Sequence, residues 1–250
     1  MTGGFREILW FAEGGAPLLA ILQLLPLGGA AVVFALRERT AAVVAGKAFA
    51  LAELLLCIVI AGRIAPASAK LQLAERFAPL GYHVAVDGLS IVLLLVAALL
   101  TVLMTFYGMS RGMISPGRLF AVLLVAEAGL AGMLVTLNVA WFALFSALEL
   151  SAVTYLLRRW ASSRAETQAL ARFVQYQSFG LALFVAGCVV LGWGHAAARG
   201  GRWSFDLFEL AGAAPAGRFQ TLAFYLLFYG LAVRTPLFPL HGWLPNMAQH

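Results

Sequence analysis

Residues 89–107 read LSIVLLLVAALLTVLMTFY, a stretch without one charged side chain. At about 1.5 Å of rise per helical residue, such a stretch covers roughly 28 Å, close to the hydrocarbon thickness of a bilayer. It lacks the apolar-polar alternation of a barrel strand, so a helix is the reading that satisfies its backbone in lipid. Comparable blocks recur on both sides, at 16–36, 41–62, 119–137, 139–157, 173–193 and 219–240. The chain is 62% hydrophobic and 11% charged, with a mean hydropathy of +0.91. A water-soluble domain of this length needs more polar surface than that. The expected fold is all-α: a polytopic transmembrane helix bundle of at least seven spans, forming one transmembrane domain over residues 1–250.

The connections support this division. Arg37-Glu38-Arg39 marks the turn of a first helical hairpin, and a more polar stretch from Arg63 to Tyr82 leads to Asp87-Gly88, where Asp87 is placed to favour a helix N-terminus. Ser110 to Gly117 is a loop, Asn138 alone separates spans four and five, and a polar, glycine-rich loop runs through Gly200-Gly201 to Gly217. The first fifteen residues have neither the basic start nor the cleavage site of a signal peptide, and a short interfacial helix is expected around Phe5–Phe11. Dense basic clusters beside spans, above all Arg158, Arg159 and Arg164, predict that this side is cytoplasmic and the N-terminus external. Trp141, Trp160, Trp193 and Trp203 fall near span ends, as an aromatic belt requires.

The net charge of +6 and a pI near 9.8 do not point to nucleic acid, because the basic residues lie in short loops between spans. Cys57 and Cys188 each sit inside an apolar block without metal-ligand spacing, which predicts buried, inert thiols. No zinc, haem or phosphate-loop pattern is present.

Ionisable residues inside the spans carry the functional signal. Glu53, Glu127, Glu149 and Arg234 lie well inside apolar blocks and must pair, hydrate or be neutralised there. Lys47 is close enough to a span end for its ammonium to reach the interface. Glu149 and Arg234 are opposite in sign and both near mid-span, so an electrostatic pair is expected; Glu127 is a further candidate, and Glu53 fits a bland structural role equally well. Beyond Arg234, Pro236 and Pro239 each remove a backbone donor, which predicts that the seventh helix is broken. Irregular backbone at membrane depth is tolerated where protein or a water-filled cavity satisfies it, so His241 and His250 are expected to line a hydrated path suited to proton relay.

The segment RTPLFPLHGWLPNMAQH (234–250) resembles the broken seventh helix of antiporter-like subunits in proton-pumping NADH-quinone oxidoreductase, respiratory complex I, most closely subunit M. YHVAVDGLS before span three, FSALELSAVTYLL in span five and RFVQYQSFG at the start of span six follow the same order. The resemblance implies a longer, fourteen-helix subunit with two inverted five-helix repeats and a chain of buried charges that moves protons. It assigns Glu149 to the family's span-five glutamate and Arg234 to its span-seven lysine. Arginine for lysine is a departure, since a guanidinium does not give up its proton; Asn246 stands where an aspartate is common.

The resemblance further implies a multi-pass subunit of the inner (cytoplasmic) membrane, with other membrane subunits, the lipid bilayer and protons as partners and no nucleic acid. This chain would hold no cofactor or metal and do no redox chemistry; NADH, FMN, iron-sulfur clusters and quinone would belong to partner subunits. Two other readings share the architecture: a subunit of a multisubunit cation/proton antiporter or inorganic-carbon uptake complex, and a scaffold that has lost pumping.

Overall fold

The computed structural model describes residues 16–36, 40–65, 70–77, 80–110, 116–160, 163–212 and 218–245. In chain order its elements are α1 (Leu18–Leu36), α2 (Thr40–Ala61), β1 (Gln72–Phe77), β2 (Tyr82–Val86), α3 (Gly88–Ser110), α4 (Pro116–Val135), α5 (Val139–Trp160), α6 (Arg164–Ala198), α7 (Leu207–Gly212) and α8 (Arg218–Arg234). Among the described residues six helices, α1 to α6, are long and apolar enough to cross a membrane. The expected seventh span does not reach residue 240, because α8 stops at Arg234. The interfacial helix expected near Phe5–Phe11 lies outside the described residues. The chain divides into two compact units, one ending at Leu137 and one beginning at Asn138.

In the amino-terminal unit, α1 to α4 pack around a core that includes Leu19, Leu22, Ile60, Leu94 and Val135. The opposite faces expose Val92, Val96, Leu99 and Leu103 of α3 and Leu55 and Ile58 of α2. That much exposed aliphatic surface is stable in hydrocarbon and not in water.

The polar stretch before α3 is more ordered than its sequence suggests. β1 and β2 form an antiparallel hairpin, with Glu75 opposite Val84 and Phe77 opposite Tyr82. Gly81, at φ +58, supplies the left-handed turn residue. Val84 and Val86 are fully buried in the core of the helices, so the hairpin is a lid on one end of the bundle. The register shifts between Gln72 and Glu75, where Leu73 takes a φ of 53°; bulges of this kind re-aim neighbouring side chains. Glu75 accepts the backbone N–H groups of Leu19 (2.7 Å) and Ala20 (3.0 Å). A strand carboxyl thereby satisfies donors that the first turn of a helix leaves open. Burial pushes that carboxyl above its usual range, and the two N–H groups oppose the shift. Asp87 takes its expected place, accepting the Ser90 N–H at 2.7 Å at the start of α3.

In the second unit, Asn138 caps α5 through bonds from the N–H groups of Ala140 (2.9 Å) and Trp141 (3.3 Å). α6 starts nine residues before the expected 173 and runs on past 193, for 35 residues in all. Its start is set by a capping box, with Ser163 Oγ accepting from Glu166 N–H and Glu166 accepting from Ser163 N–H. The glycine-rich connection after α6 contains the short α7, capped by Asp206. Both cysteines are buried and free, as expected; Cys57 lies against the Leu94 carbonyl and Cys188 against that of Val139.

Candidate functional site

The close crossing of α6 and α8 builds the site in the second unit. A Cβ added at Gly230 would lie 2.7 Å from the Phe184 backbone nitrogen, and one at Gly180 would lie 2.8 Å from both Gly230 O and Arg234 Cγ. Only glycine allows the two backbones this approach, and the Arg234 stem lies directly on Gly180. From there the guanidinium reaches two helices at once. Its Nε donates to Gln177 Oε1 of α6 at 3.3 Å, and one terminal nitrogen donates to Ser146 Oγ of α5 at 2.8 Å. Gln177 is doubly engaged, since its Nε2 donates to the Arg234 carbonyl at 3.4 Å. Ser146 is fully buried and Gln177 nearly so.

Glu149 is three residues beyond Ser146, on the same face of α5. Its carboxyl and the Arg234 guanidinium attract one another. The guanidinium's hydrogen bonds go to neutral groups, Ser146 and Gln177, rather than to this carboxylate. Arg234 is also the last residue of α8, where the carbonyl end of the helix favours a cation.

Past Arg234 the backbone turns rather than continuing as helix. Pro236 disfavours helical geometry at Thr235 and offers no donor of its own. The freed carbonyls find other partners: Leu237 N–H donates to Ala232 O (3.0 Å), and the Trp243 indole N–H donates to Val233 O (3.0 Å). Trp243 in turn meets Phe173 edge to face at 5.3 Å. Seen from α8, the chain folds back and closes the helix end with a tryptophan.

His241 sits in these turns with its ring 5.6 Å from that of Phe238 and its Nδ1 buried without a hydrogen-bond partner. Among the described residues no hydrogen bond joins it to Glu149 or Arg234. His250, like Asn246, lies outside the described residues. Glu127 belongs to the amino-terminal unit, where its electrostatic neighbour is Glu53. Lys47, expected at the interface, places its ammonium 4.4 Å over the Phe106 ring.

Ser146 and Gln177 were not singled out by the sequence. The position of Ser146 one turn before a buried glutamate was a usable signal; Gln177, in RFVQYQSFG, had none short of the fold. Among the described residues, no three His, Cys, Asp or Glu side chains are grouped to hold a metal ion.

Comparison with known proteins agrees with this architecture. NAD(P)H-quinone oxidoreductase chain 4 of Gloeobacter violaceus is 29% identical over 239 residues, 92% of this chain and 43% of that protein. NADH-quinone oxidoreductase subunit M of Mycobacterium tuberculosis is 26% identical over 274 residues, 93% of this chain and 49% of the relative. A chain of respiratory complex I from Thermus thermophilus with bound NADH has the same fold, with a TM-score of 0.73 at 22% identity, covering 92% of this chain and 47% of that one. The chain thus spans less than half the length of each. It is a multi-pass membrane protein similar over nine-tenths of its length to quinone oxidoreductase subunits, and its residues 136–250, which hold Ser146, Glu149, Gln177 and Arg234, match the NADH:quinone oxidoreductase/Mrp antiporter transmembrane family.

Proposed function

We propose that this chain is a proton-translocating membrane subunit of an NADH-quinone oxidoreductase, coupling quinone reduction by its partners to proton movement through its own helices. The observation that carries this reading is the Arg234 guanidinium, fixed by Ser146 and Gln177 at the end of an apolar helix and facing Glu149. A charged pair set among apolar helices of a membrane protein is costly to keep and marks an ion path by default. Arginine holds its proton, so Arg234 acts as a fixed counter-charge, and Glu149 is the group that takes up and releases protons. His241, whose unpartnered Nδ1 can accept a water, continues the path beyond α8. In this reading the chain carries no redox cofactor, sits in the cytoplasmic membrane with its N-terminus outside, and assembles with other membrane subunits.

A cation/proton antiporter subunit is the second reading, favoured by the breadth of the family that residues 136–250 match. The test is proton uptake by proteoliposomes holding the assembled complex with the full subunit, driven by quinone reduction. Flux that depends on quinone reduction and is lost in Glu149→Gln supports the first reading. Flux driven by a sodium or potassium gradient without electron transfer would establish the second.

A further inference from the structure

The amino-terminal unit contains two carboxyls that the proposed path through Glu149 and Arg234 does not use together. Glu53 of α2 is 1% exposed and Glu127 of α4 is 5% exposed. None of their four oxygens has a hydrogen-bond partner, and the two groups interact electrostatically. The packing of α2 on α4 explains the meeting. At Gly46 an added Cβ would lie 2.7 Å from Phe120 Cδ2, so the helices touch there. Successive spans alternate in direction, so α2 and α4 run parallel. About two turns beyond that contact on each helix stand Glu53 and Glu127, at the same level.

Among the helices packed around them these carboxyls meet no cation, and the one hydroxyl at hand is that of Thr101. α1 has no ionisable side chain, and α3 has only Tyr107. On α2, Lys47 is about two turns from Glu53 and its ammonium is occupied by the Phe106 ring. On α4, Arg118 is more than two turns before Glu127. The Thr101 hydroxyl bonds Ala97 O at 3.2 Å and can turn toward Glu127, but it is neutral and supplies no counter-charge; the Cys57 thiol is directed to Leu94 O. Two ionised carboxylates enclosed together with no counter-charge repel each other and have lost their hydration. Two carboxylic acids, or an acid and a carboxylate sharing one proton, can donate to each other and close the deficit.

We infer that Glu53 and Glu127 form a second proton-binding site, a carboxyl pair that holds at least one proton at neutral pH. The ligand is the proton itself, and the site belongs to the amino-terminal unit alone. Protonation is an equilibrium property, so the inference stands or falls independently of whether the complex pumps.

Infrared difference spectra of the assembled complex with the full subunit, in hydrated membranes at pH 7, test it without turnover. Subtracting the Glu53→Gln/Glu127→Gln double variant from wild type should leave the carbonyl stretch of a protonated carboxyl, shifted by exchange into deuterium oxide. A difference consisting only of ionised carboxylate bands would overturn the proposal. So would a protonated signal that appears only after sodium is removed, since sodium would then be the bound cation. Glutamine reproduces the shape and neutrality of the acid, so the double variant should assemble at wild-type yield; its failure to assemble, with rescue by Glu53→Asp/Glu127→Asp, would show that the fold needs the charges and would refute the pair as a proton store.

Discussion

Arg234 donates to Ser146 across 88 residues of sequence, at 2.8 Å, and it is this bond that brings the guanidinium to the face of α5 that carries Glu149. A hydroxyl and an amide therefore fix the position of the cation, and the Glu149 carboxylate takes no part in holding it.

Arg234→Lys keeps the charge and loses one of the two side-chain contacts, because an ammonium cannot bridge Gln177 and Ser146 as the guanidinium does. It should assemble and pump. Arg234→Ala leaves Glu149 without its counter-charge and should cut protons moved per quinone reduced severalfold while electron transfer persists. Proton stoichiometry measured with both variants checks this, and an unchanged ratio in Arg234→Ala would make the pair structural.

Ser146→Ala removes a fully buried hydroxyl with little change in volume. Loss of one hydrogen bond to a charged group corresponds to about 1.5–3 kcal/mol. The variant should pump more slowly than wild type yet better than Arg234→Ala, which initial rates of proton uptake would show; a rate equal to wild type would remove Ser146 from the site.

Gly230→Ala would place a methyl group 2.7 Å from a backbone nitrogen of α6, with no flexible side chain to yield. Overpacking of this kind costs about 1–3 kcal/mol. The assembled complex should melt earlier in a thermal shift measurement, whereas Gly212→Ala, which meets nothing within 4 Å, should leave the melting temperature unchanged.

At the start of α3, the Ser90 N–H bonded to Asp87 holds its carboxyl below the usual aspartate range. A depressed folded-state value means that the ionised carboxylate stabilises the fold above the unfolded pKa and that this contribution fades as pH falls through the lowered value. Asp87→Ala should cost about 0.5–2 kcal/mol at neutral pH, and the gap in melting temperature from wild type should close as the medium is acidified.

For the membrane orientation, a single cysteine at Ala161, between Arg159 and Arg164, should resist impermeant thiol reagents applied to intact cells and react after permeabilisation. Rapid labelling from outside would invert the assigned topology.

The long apolar helices were legible because their composition alone decides their solvent, and Asp87 because an acid before a glycine and an apolar run has one obvious use. The start of α6 was legible too: Ser163 and Glu166 have the capping-box spacing, although hydropathy drew attention to residue 173 instead. The hairpin was obscured by the bulge at Leu73, which breaks the alternation that would have marked β1. Arg234 and Glu149 could be paired from sign and depth, but the groups that bond the guanidinium come from two other helices, and no local pattern encodes such a meeting. Glu53 stayed evenly divided between a structural and a transport role for the same reason: its significance depends on the register of α2 against α4, set at Gly46 and Phe120.

The hairpin's grip on α1 has a consequence for how the protein is made. Leu19 and Ala20 direct their N–H groups to a carboxyl more than fifty residues downstream, so the first helix enters the membrane with its leading turn incomplete. Until Glu75 leaves the ribosome, those donors depend on water at the bilayer surface. The first helical hairpin should therefore be able to slide and tilt during insertion and to become fixed in depth only when β1 arrives, which makes Glu75 a latch on the order of assembly.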